Sequence, residues 1–117
     1  MATGKGDLYY AREKTSLAVS IMATTTGSIQ ERLLNGWMRE GHHALPMGEG
    51  QAGLPMSDEL IESLEAFNDR MSCRPALGDE GTFSATILAL SDDEASAAAR
   101  DLVEISYQIE AEIEDAR

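Results

Sequence analysis

Cysteine is almost missing from this chain: Cys73 stands alone, which excludes an internal disulfide and a thiolate metal cluster within one chain. Aromatic residues are scarce, 2 Phe, 1 Trp and 3 Tyr, so the core must be mainly Leu, Ile, Ala and Met. The β-branched runs that mark strands are nearly absent, whereas the helix formers Ala, Leu, Glu and Met are plentiful. No segment approaches the ~18 uninterrupted apolar residues of a membrane span. After Lys5 no apolar run of signal-peptide length develops, because Arg12, Glu13 and Lys14 interrupt it. The expectation is a cytoplasmic protein with no membrane insertion. Lys and Arg together number only 9 and form no cluster, which disfavours direct nucleic-acid binding.

What is present in excess is acid, and all of it in one half. Residues 1–56 balance five acids with five bases, while residues 57–117 hold 16 acids against Arg70, Arg74, Arg100 and Arg117, giving the whole formal charge of -12. A surface of that kind attracts basic partners and repels nucleic acid. With 117 residues, 43% of them hydrophobic, the chain is expected to form a single domain, 1–117.

The pattern along the chain is cap, then amphipathic helix, repeated. Asp7 is placed to cap a first helix whose buried side we expect to be Tyr10, Leu17, Ala18, Ile21 and Met22. Thr24, Thr25, Thr26 and Gly27 should end it. Ser28 and Glu31 have capping-box spacing and reopen a second helix that buries Ile29, Leu33, Leu34, Trp37 and Met38, with Gly41 as its stop. A break is expected at Gly27 rather than one kinked helix. Residues 42–56, rich in Gly and Pro, read as a flexible loop. Ser57 caps a third helix with Leu60, Leu64, Phe67 and Met71 inside, and Pro75 requires that it be over by about Cys73. Residues 78–81 read as a turn and 82–90 as a short helix with Phe83, Ile87 and Leu90 on one face. Ser91 and Glu94 form a second capping box, opening the longest helix on a stripe of Ala95, Ala98, Leu102, Ile105, Ile109 and Ile113. Val103 and Tyr107 widen that stripe, which either encloses the helix within its own chain or contributes to a homodimer. The expected fold is all-α: a compact bundle of four main helices plus a short fifth helix.

Chemistry-bearing constellations are thin. Glu40 and His43 have the Glu-x-x-His spacing of di-iron carboxylate helices, but the remaining ligands are missing, so the expectation is surface histidines and no metal or cofactor. Cys73 has only His42 and His43 as potential bases, with nothing to bring them together, and reads as a structural or bystander thiol. Gly48, Gly50 and Gly53 match a dinucleotide pattern without the strand it requires. Arg32 and Arg39 read as surface residues.

One group of acids has no local explanation. Asp58, Glu59, Asp92, Asp93 and Glu94 favour helix starts, but Glu104, Glu110, Glu112, Glu114 and Asp115 oppose the dipole at a helix carboxyl end. Glu110 and Glu114 also repel at four residues' spacing, costing about a few tenths of a kcal/mol. These five are the expected binding residues for a protein partner with a basic surface. The functional expectation is a non-enzymatic interaction or regulatory module. Alternatives are a nucleic-acid mimic that inhibits a DNA- or RNA-binding protein, or a metal-binding helical enzyme assembled across a dimer.

Overall fold

The computed structural model describes residues 6–46, 53–76, 78 and 81–117, and all regular structure among them is helical. Five α-helices follow in order: α1 (Leu8–Thr24), α2 (Ile29–Arg39), α3 (Asp58–Met71), α4 (Gly81–Ile87) and α5 (Asp92–Ala116), with a 3₁₀ turn at Gly41–Ala44 after α2. At 25 residues, α5 is about 37 Å long and sets the long dimension of a 42 × 26 × 19 Å globule. It packs against α1, α2 and α3, while α4 closes against α2 and α3.

The caps fall where side-chain chemistry requires. Asp7 accepts from the Tyr9 amide at 3.0 Å, and both Ser28–Glu31 and Ser91–Glu94 form complete capping boxes. Accepting from the Ser91 amide and hydroxyl holds the Glu94 carboxyl below its usual range. The break at Gly27 is present, with φ +115° at that residue. Before it, the Thr24 and Thr25 hydroxyls bond the carbonyls of Ser20 and Ile21, as threonines ending a helix do.

The buried side of α1 differs from the expected one. It consists of Leu8, Ala11, Thr15, Ala18 and Met22, while Tyr10 and Leu17 are exposed. Close helix approach explains the shift. A Cβ on Gly36 of α2 would lie 2.7 Å from the Ala18 carbonyl oxygen, so only small residues fit the seam and the bulky ones sit outside. Thr15 is tolerated there because its hydroxyl donates to Ala11 O at 2.9 Å.

On α2, Leu33, Gly36 and Trp37 are buried, whereas Met38 is exposed. Gly41 does not act as a left-handed cap; it begins the 3₁₀ turn, lying beneath Trp37, whose ring leaves no room for a Cβ. The turn also removes His42, His43 and Ala44 from the expected loop. Gly48, Gly50 and the rest of 47–52 lie outside the described residues, as do Asp79 and Glu80 of the expected turn.

Trp37 is fully buried at the centre. Its ring meets Phe67 of α3 edge-on at 4.7 Å, and its indole N–H donates to Asn68 Oδ1 at 3.2 Å. The expected faces of α3 and α5 are the buried ones, residue for residue. Ile87 is likewise buried on α4, with Phe83 and Leu90 packed against the core. Arg32, expected at the surface, is half-buried, and donates to Met22 O at 3.2 Å, placing a cation on the carbonyl end of α1.

Candidate functional site

Two polar ties fix α3 against α5. At one end Arg70 reaches Asp101 at 2.7 Å; at the other, Ser57 is bound by Glu112. The pairing of 70 with 101 and of 57 with 112 makes the two helices antiparallel.

The Ser57 tie completes a cap that the local sequence leaves unfinished. In α2 and α5 the third helical residue is a glutamate that bonds back to the cap amide. In α3 that position is Leu60, committed to the core. Glu112 takes the missing role from 55 residues away: it accepts the Ser57 N–H at 2.9 Å and also the Ser57 hydroxyl, whose oxygen accepts in turn from the Leu60 amide at 3.1 Å. The antiparallel arrangement puts this carboxylate beside the positive end of α3, which offsets its unfavourable place near the negative end of α5.

Between the ties opens a groove of about 590 Å³. Phe67 and Ile105 form its floor, Ala66 and Tyr107 contribute apolar wall, and Asp101 and Glu104 stand at its rim. Tyr107 is 63% exposed, the most exposed large hydrophobic residue among those described. A second hollow, about 490 Å³, lies at the Ser57 end of the same α3–α5 seam and is lined in part by Glu59, Glu112 and Asp115.

The five acids expected to act together are thus divided. Glu104 and Asp115 are exposed along the α3 side of α5 and have no hydrogen bond or ion pair among the described residues. Glu112 is half-buried in the α3 cap. Glu110 lies 3.8 Å from Arg12 of α1, and Glu114 pairs with Arg117 at 2.9 Å. The α3 side of the groove carried no sequence signal, because nothing in a single helical stripe specifies which neighbour it faces. Tyr107, an aromatic on the solvent side of a charged helix, was the available clue.

Glu40 pairs with Lys14 at 3.3 Å, a hydrogen bond that raises the lysine pKa, so this carboxylate already has a cation. The His42 ring lies 4.0 Å from His43 and 5.4 Å from Phe83. Partial burial, aided by the neighbouring His43, lowers its pKa. Among the described residues no three His, Cys, Asp or Glu side chains converge as a metal-ligand set. Cys73 is exposed and lines a hollow of about 370 Å³ with Arg70, Arg74 and Glu94, but no histidine. None of the described helices is long and apolar enough to cross a membrane.

No protein-family model, curated protein or solved structure matches this chain.

Proposed function

We propose that this protein is a non-enzymatic interaction or regulatory module whose acidic α3–α5 side engages the basic surface of a protein partner. The observation that carries the reading is the difference between carboxylates with internal employment and those without. Glu112, Glu94, Glu40 and Asp101 each have a hydrogen-bonding or ionic partner inside the fold, while Glu104 and Asp115 project beside apolar surface with none among the described residues. A chain of net charge -12 also raises the rate of encounter with basic proteins.

Affinity capture of partners at low and high salt tests the reading. Direct binding of a basic protein that weakens steeply with salt is expected, since exposed charges are screened within about 10 Å at 0.1 M. Salt-insensitive association would overturn it. Competition between that partner and DNA would move the reading to nucleic-acid mimicry, because a mimic occupies the partner's own nucleic-acid groove.

A further inference from the structure

We infer that the groove between α3 and α5 is a docking site for one amphipathic helix of a partner protein, with an apolar stripe seated on Ala66 and Tyr107, above a floor of Phe67 and Ile105, and Lys or Arg along its flanks. The inference rests on the acidic-surface reading and adds the form of the occupant. Three features select it.

The first is mixed character. The floor and walls are apolar, but the groove and the hollow at its Ser57 end also carry Glu59, Glu104 and Asp115 with no polar partner among the described residues, whereas Asp101 and Glu112 are taken up by Arg70 and Ser57. Apolar ligand surface alone would leave these rims unmatched, and a basic coil without anchors would leave Tyr107 and Ala66 in water. A helix with both faces satisfies the two requirements together.

Backbone accounting supplies the second. An extended peptide would find no strand edge to pair with among the described residues, so its amides would be left to water. A helix brings its own hydrogen bonds and can lie against an apolar floor without leaving polar groups unpaired. The groove itself is lined by α3 from Ser63 to Arg70, about 12 Å, room for about two turns of a docked helix.

The third is repulsion between copies. A second copy of this chain would bring the same acid-lined seam and another net charge of -12. Like-charge juxtaposition opposes that occupant where a basic helix is favoured.

The test is a titration of the ¹⁵N-labelled full chain at low salt with two synthetic peptides of about 18 residues, or five turns. One has Leu at i, i+3, i+4 and i+7 with Lys between; the other has the same composition scrambled. The expected result is that the patterned peptide shifts amides within 63–70 and 101–108 and binds about tenfold tighter than the scramble, and that Tyr107→Ala, an exposed position, weakens it about tenfold. Equal binding of both peptides would overturn the docked helix while leaving the acidic-surface reading standing. Binding of neither would remove both readings. Groove amides that shift on dilution of the protein alone would assign the groove to a second copy instead.

Discussion

Ser57 and Glu112 form one capping unit shared between two helices. The serine hydroxyl donates to the carboxylate and accepts from Leu60, so removing either residue unsatisfies the other. Ser57→Ala and Glu112→Ala should each lower stability by about 1–2 kcal/mol, and the double variant by less than the sum. Urea denaturation of the four proteins measures this directly. Strict additivity would mean that the two residues act independently.

Gly36→Ala sets helix propensity against packing. In an isolated helix Ala is favoured over Gly by about 1 kcal/mol. Here the added methyl meets Ala18 O at 2.7 Å and Met22 Cγ at 3.1 Å, and a backbone carbonyl cannot yield as a side-chain tip can. Net destabilisation of about 1–3 kcal/mol is predicted, read as a lower urea midpoint. A variant as stable as the parent would show that the α1–α2 seam is looser than described.

Trp37 is the single tryptophan and reports on its own site. Asn68→Leu leaves the indole N–H without its acceptor, at a predicted cost of about 1–3 kcal/mol. The folded protein should still give the fluorescence of a buried indole, and the unfolding transition should move to lower denaturant. An unchanged midpoint would show that Asn68 contributes nothing to the burial of Trp37.

Acid should weaken the fold in two separate windows. His42 has a depressed pKa in the folded state, so its neutral form is favoured there; its contribution is complete above its usual value near 6.5 and is lost as pH falls from there through the depressed value. Because the ring is only partly buried, this first loss is small. Glu94 acts at lower pH, its contribution being present above about 4.5 and lost as pH falls through its own depressed value. Urea midpoints measured from about pH 8 to pH 2 should therefore decline in two steps. His42→Gln should flatten the upper step only, and an unchanged upper step in that variant would remove His42 from the explanation.

Local chemistry made most of the helices legible. The two capping boxes needed only four residues each, and the faces of α3 and α5 followed from spacing because those helices bury bulky aliphatics. The buried face of α1 departs from its hydrophobic pattern for a definite reason: its seam is chosen by the absence of a side chain at Gly36, which favours Ala11, Thr15 and Ala18 over the more hydrophobic Tyr10 and Leu17. The candidate site was readable only in part. Glu104 and Asp115 lie on the α3 side of α5, whereas Glu112 shares their sequence signature, a carboxylate opposing its own helix dipole, and is explained only by the positive end of α3 lying beside it. Pairings such as 57 with 112 and 70 with 101 belong to tertiary structure, and no single-helix pattern carries them.

The contacts of α5 also set an order of events. It follows, in the chain, every helix it packs against, so α1 and α2 can close their own seam early, but the faces that α1, α2 and α3 turn toward α5 stay uncovered until residues 92–116 arrive. Loops closed over such separations slow folding relative to a chain of neighbour-only contacts. During synthesis, the hydrophobic faces of three helices therefore wait exposed for the last one, and the same strand of sequence that finishes the groove also ends the interval in which the chain is most prone to aggregate.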